Sequence, residues 1–216
     1  MVKLSVTSKL DGIRSWSLQA KDTCPGSVKA NGELVNACFG CYASMGFYVF
    51  AKAKSLREYN KEDWQREEWV AEMVKALAND RYFRWMDSGD LYSLALAVKV
   101  YEVMAQTPWV QHWLPTRMAK FDKFKPILAK MQALPNVMVR FSSDDVDGSF
   151  TPGVHGSTIV PDADWLKPGV AMCEAYSRGG KCDGCRACWS KDVAVIAYPA
   201  HGKRKGKMIM MAKAVA

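Results

Sequence analysis

Hydrophobic and polar positions alternate in blocks through the middle of the chain. Tyr82-Phe83-Arg84-Trp85-Met86, Trp109-Val110-Gln111-His112-Trp113-Leu114 and Asn136-Val137-Met138-Val139-Arg140-Phe141 are short runs rich in aromatic and branched residues, the composition of strands. Each ends in a polar group: Asp87-Ser88-Gly89-Asp90, Pro115-Thr116-Arg117 and Ser142-Ser143-Asp144-Asp145. Between them lie helical patterns, with Leu94, Val98 and Tyr101 expected on one face and Phe124, Ile127, Leu128 and Met131 on another. The strands recur every 27 residues or so, a rhythm of βα units building a parallel sheet or barrel.

The flanks are less regular. Residues 13–18 alternate like a strand, and residues beyond Tyr42 to about Leu56 read as a helix. A second helix is expected with Asn60 as N-cap and Asp63 three residues on, carried by Trp69, Val70, Met73, Val74 and Leu77 at helical period. After Gly148 the chain becomes loop-rich, with strand-like pieces at 157–160, 170–172 and 193–198. No linker divides it, so residues 1–216 are read as one α/β domain.

Polar residues at the carboxyl ends of parallel strands are where such folds carry their active sites. Asp87, Asp90 and Arg117 are therefore the candidate catalytic residues, the carboxylates as acid/base or amine-binding groups. Ser88, Gly89, Arg140 and Ser142 are the candidate cofactor-binding residues, with Arg117 and Arg140 as anion clamps. His112, His155 and His201 have no partners at recognisable motif spacing, and neither Gly-x-Ser-x-Gly nor a P-loop occurs.

The seven cysteines change the picture most. Cys173, Cys182, Cys185 and Cys188 are spaced C-x8-C-x2-C-x2-C, while Cys24, Cys38 and Cys41 lie near the other end, and the middle has none. In a reducing compartment such clustering points to metal rather than disulfides. The compressed C-x2-C-x2-C suits [4Fe–4S] ligation better than the widely parted knuckles of structural zinc. The segment 173–189 supplies four ligands and closes its site. Cys24, Cys38 and Cys41 supply three, which would leave one iron of a second cluster open; a shared single cluster and packed thiols are the alternatives.

Composition sets looser bounds. No apolar run approaches the roughly 20 residues of a membrane helix, and residues 1–5 lack a signal-peptide pattern, so the expected location is cytoplasmic, without membrane attachment. The net charge of +8 concentrates only at residues 203–207. That tail could meet nucleic-acid phosphates, but no aromatic residues interleave with its charges for base stacking.

Thr23-Cys24-Pro25-Gly26, Cys38-x2-Cys41-Tyr42-Ala43, Trp85-Met86-Asp87-Ser88-Gly89-Asp90 and Gly180-Lys181-Cys182-x2-Cys185-x2-Cys188-Trp189 together resemble the phage gene 88 protein family. That resemblance implies a virus-encoded auxiliary protein acting in the host cytoplasm. A weaker likeness is to radical SAM enzymes, implying a partial (β/α)6 barrel, a three-cysteine cluster and S-adenosylmethionine. There the cysteine loop is C-x3-C-x2-C, whereas 13 residues separate Cys24 from Cys38. The functional expectation is an iron–sulfur enzyme acting on a small molecule at the barrel rim, radical SAM-like or a hydrolase or lyase. The alternatives are a structural or redox-sensing iron–sulfur or zinc protein, or a nucleic-acid binder.

Overall fold

A computed structural model of the chain describes residues 1–201 and 205–214. Its centre is an eight-stranded sheet: β1 (Ser5–Val6), β2 (Arg14–Trp16), β3 (Tyr82–Trp85), β4 (Gln111–Thr116), β5 (Val137–Ser142), β6 (Gly156–Val160), β7 (Val170–Met172) and β8 (Val195–Pro199), in the order β1-β2-β3-β4-β5-β6-β8-β7. Every pair is parallel except β1 with β2, which form an antiparallel hairpin. The expected α/β class and the three central strands are present. Among the described residues the α-helices are α1 (Asn36–Phe39), α2 (Ala51–Asp63), α3 (Trp69–Ala76), α4 (Leu94–Gln106), α5 (Lys125–Ala133) and α6 (Lys205–Lys213).

The two-residue period of a strand sorts its side chains between the faces. Trp16, Phe83, Trp85, Leu114, Val137 and Val139 join the core that also buries Trp69, Met73 and Leu77 of the α3 region and Leu96, Val100 and Val103 of α4. Trp113 and Met138 point the other way and pack against Leu10, Cys182 and Trp189. Helices therefore cover one face, and the cysteine-rich segment covers the other. The indole of Trp189 fastens this cover by donating to the Phe83 carbonyl at 3.0 Å.

Three expectations are corrected. Asn60 is no N-cap: it is buried inside α2, where its Nδ2 donates to the Ser17 carbonyl at 3.0 Å. The break between α2 and α3 falls at residues 64–68 instead, because α2 is a strongly polar helix with no continuous apolar stripe to reveal its limits. In α4 the buried face is Leu96, Ala97, Val100, Val103 and Met104, while Leu94 and Val98 are exposed. Both helical stripes of α4 are apolar, so the period alone does not choose the buried one; the helix starts at the N-cap Ser93, whose hydroxyl accepts from the Leu96 amide at 3.2 Å. Of the basic tail, Lys203 and Arg204 lie outside the described residues, whereas Lys205 and Lys207 begin α6, which buries Met208 and Ala212. Among the described residues no helix is long and apolar enough to cross a membrane.

His112 is a core residue. Its Nδ1 accepts from the Trp85 indole at 3.2 Å, which leaves Nε2 to donate to Thr107 Oγ1 at 2.8 Å, and the Thr107 hydroxyl donates onward to the Val103 carbonyl at 2.7 Å. Burial pushes its pKa down to about 3. The unfolded chain binds a proton here below about 6.5 and the folded protein does not, so this site lowers stability as pH falls from 6.5 towards 3. The slope is up to about 1.4 kcal/mol per pH unit. His112→Gln should flatten the stability-versus-pH curve over that window in urea unfolding; a curve parallel to the parent's would contradict the assignment.

Candidate functional site

Loops at the carboxyl ends of β2 and β3 are laced together. The Leu18 amide donates to the Ser88 carbonyl at 3.0 Å, the Ser88 hydroxyl returns a bond to the Leu18 carbonyl at 2.7 Å, and the Asp90 amide donates to the Thr23 carbonyl at 2.9 Å. Gly89, at φ +78°, permits this: a Cβ there would stand 2.6 Å from Leu18 Cβ and 2.7 Å from Thr23 Oγ1. Ser88 and Gly89 thus hold the loop together. Just before them Met86, a buried non-glycine residue at φ 54°, ends β3 in a left-handed conformation costing roughly 1–2 kcal/mol. Such strain concentrates at functional sites.

These loops wall a cavity of about 450 Å³. Cys24, Cys38 and Cys41 from one end of the chain and Cys173, Cys182 and Cys188 from the other all line it. Cys185 is exposed and stands outside it. All seven thiols are free. A broader cleft of about 610 Å³ lies alongside, behind Arg117 and Ser142, but no cysteine lines it, and its Lys120 is paired with Asp144 at 2.6 Å.

The first thiol group sits on tight turns. Cys24 precedes a 3-10 turn at Pro25–Ser27, whose Ser27 amide donates to the Cys24 carbonyl at 2.9 Å. Cys38 lies on α1, and the Cys41 amide donates to its carbonyl at 3.2 Å. Between them Gly40 touches α6: a Cβ there would fall 2.1 Å from Met208 Sδ, so any larger residue at this position would make the Met208 side chain move. Burial pushes the Cys24 thiol up to about 12, helped by the nearby negative charge of Asp90 and by Cys38 and Cys41. Burial raises Cys38 too, against the opposing pull of Arg117.

The second group hangs on two anchors. At one end Asp11, in the β1–β2 hairpin, accepts from the amides of Asp183 and Gly184 at 3.1 and 3.0 Å and pairs with Arg186 at 2.8 Å. The Cys182 amide donates to the Lys9 carbonyl at 2.8 Å. At the other end stands Arg140, which is 0% exposed. Its Nε donates to the Cys188 carbonyl, Nη1 to Gly156 and Ala194, and Nη2 to Ala187 and Ser190, at 2.9–3.3 Å. A guanidinium has five N–H donors, and all five are committed. Arg140 is therefore corrected from anion clamp to strut, with no donor left for a ligand. Burial raises Cys182, and it pushes Cys188 up to about 11 even though Tyr198 Oη stands 3.3 Å from its sulfur.

The remaining candidates divide. Asp90 is buried and accepts from Leu91 N, Thr116 Oγ1 and Arg117 N at 2.7–2.9 Å, so it locks β3 to β4; burial still raises its pKa. Arg117 donates to the Ser143 carbonyl at 2.8 Å and lies 3.4 Å from Asp144. Ser142 meets Ser157 hydroxyl to hydroxyl at 3.3 Å. Asp87 is different. It is 6% exposed, its Oδ2 accepts from Tyr48 Oη at 3.2 Å, and its Oδ1 is buried without a partner. Sequence reasoning missed the aromatic side of the cavity: Tyr42, Tyr48, Tyr176 and His201, brought there by short 3-10 turns and by ring contacts such as Tyr176 on His201 at 4.6 Å. No spacing announces such a wall.

The donor set can be tested against the expected metal groups. Among the described residues, no three His, Cys, Asp or Glu side chains converge as ligands of a single ion do. An iron–sulfur cluster is held instead by thiolates that each bind a separate iron, and three cavity-lining free thiols from each end of the chain suit that, with Cys185 exposed beside the second group. Ligation needs thiolates; four of these thiols are held protonated by burial, and a cationic group would supply the compensation the protein lacks.

Comparison with known proteins places residues 3–191 on the family model described as gene product 88. The chain belongs to that family. No curated protein and no solved structure matches it, and the weaker likeness to radical SAM enzymes finds no support there.

Removing the strut tests this account of the second group. Arg140→Met should destabilise the protein by more than about 3 kcal/mol, since several charge-assisted bonds at roughly 1.5–3 kcal/mol each are lost. Arg140→Lys, with three donors, should recover only part. Urea unfolding checks both; a change below about 1 kcal/mol would contradict the role.

Proposed function

We propose that this gene product 88 family member is an iron–sulfur enzyme that works on a small molecule held between its two cysteine groups. The observation that carries this reading is the single cavity onto which cysteines from both ends of the chain open, beside the buried, unpartnered carboxylate oxygen of Asp87. The sheet then serves as the wall of a partial (β/α)6 barrel, with segment 173–189 filling its inner face.

In this reading Cys173, Cys182, Cys185 and Cys188 hold a [4Fe–4S] cluster with every corner taken, and Cys24, Cys38 and Cys41 hold one with a corner free. Such an open iron supplies a Lewis acid or a one-electron donor to a bound molecule. The chain's own residues bind and orient that molecule. Asp87 Oδ1 takes a hydrogen-bond donor, and Tyr48 keeps the carboxylate in place. The tyrosines and His201 exclude water. S-adenosylmethionine, whose amine suits Asp87, is one candidate occupant; hydrolase or lyase chemistry on another small molecule is the other. A structural or redox-sensing role is the second reading, favoured by the strut at Arg140, which serves the closed four-cysteine group alone.

Single substitutions separate the groups. Cys41→Ser should remove about half of the iron and sulfide, Cys182→Ser about the other half, and Asp87→Asn none. Loss of all iron in either cysteine variant would indicate one shared cluster, and loss of iron in Asp87→Asn would make Asp87 part of the metal site.

A further inference from the structure

Strand alternation puts Arg84 on the same sheet face as Trp113 and Met138, next to the cysteine cover, while its neighbours Phe83 and Trp85 enter the helix-side core. Arg84 lines the cavity. Its guanidinium lies over the Trp113 ring, 4.6 Å from the centroid, and Nη2 donates to Tyr42 Oη at 3.2 Å. Tyr42 is itself fixed by a hydrogen bond to the Asp87 carbonyl. Stacking on one face and a bond at one corner hold the guanidinium plane in place.

What it lacks is a counter-charge. Among the described residues no carboxylate lies within ion-pair distance of Arg84, and its Nε–H is buried without a partner. Asp87 influences it only through space; that charge and Tyr42 more than offset the burial that works against Arg84's own charge. Arg84 is half-buried, and a partly desolvated cation without a contacting anion is left uncompensated. Arg140, on the same face two strands away, shows the alternative, with every donor satisfied by backbone. Of the other lining cations, Arg117 is engaged by Ser143 and Asp144, and Lys9 stands over the Tyr176 ring at 4.7 Å.

We infer that Arg84 is the anion-binding residue of this cavity, and that the molecule bound between the cysteine groups carries a carboxylate or a phosphate. The stacked, planar guanidinium suits either oxyanion through two parallel N–H bonds. Asp87 Oδ1 takes a donor group of the same molecule. This rests on the cavity being a ligand site, and not on the metal.

Calorimetric titration with sodium acetate and with inorganic phosphate, ionic strength held constant with chloride, tests it on the anaerobically purified protein. At least one anion should bind the parent chain, at least tenfold more weakly to Arg84→Met, and with intermediate affinity to Arg84→Lys. Iron and sulfide measured on the same samples should not change between them. Whichever anion binds more tightly identifies the ligand's charged group. Equal affinity in the variants, or no binding by the parent chain, would overturn the inference. So would iron loss in Arg84→Met, which would make Arg84 a counter-charge to the metal. A parent chain without iron that still binds the anion through Arg84 would sink the cluster reading and leave this one standing.

Discussion

One guanidinium ties the two sides of this protein together. Arg140 rises from the middle of β5 and ends in carbonyls of β6, the loop before β8 and the turn that carries Cys188. A parallel sheet must be covered on both faces. Helices do this on one side by ordinary apolar packing, but the other side is closed by an irregular, glycine-rich segment that forms little regular structure of its own. Such a segment leaves carbonyls without partners, and Arg140 supplies those partners from inside the sheet. With Asp11 gripping the opposite end, the cysteine turn is fixed by the protein's own bonds.

That cover makes a cavity out of a sheet face. The loops after β2 and β3 bring three cysteines and Asp87 to its rim, β7 leads straight into Cys173, and α6 closes the edge by laying Met208 on Gly40. Two of the cavity's charged side chains keep a buried polar atom without a partner: Asp87 Oδ1 and Arg84 Nε. Asp90, Arg140 and Arg66 are engaged more fully, the Arg66 guanidinium meeting Asp63 and Glu72 at 2.8 Å.

The central strands were legible because a run such as Val137-Met138-Val139 admits few readings once it is bounded by polar turns. The cysteine spacing likewise announced two groups, and the fold brought both to one cavity. The helix faces were less legible. In α4 nearly every position is apolar, so period alone did not choose between Leu94–Val98 and Leu96–Val100, and in α2 there was no stripe to follow. Strand-end polarity singled out Asp87 together with Ser88, Gly89 and Asp90, and the bonds of the last three serve the loops themselves. Arg140 and Arg84 look alike in sequence, each a single arginine inside a hydrophobic strand. Only the partners around them make one a strut and leave the other open.

The most direct test of the central claim is the iron and acid-labile sulfide content of anaerobically purified protein, together with its visible spectrum. Two thiol groups each holding a cubane predict about eight irons per chain, with matching sulfide and broad charge-transfer absorption. Zinc in place of iron, with no visible absorption, would contradict the claim.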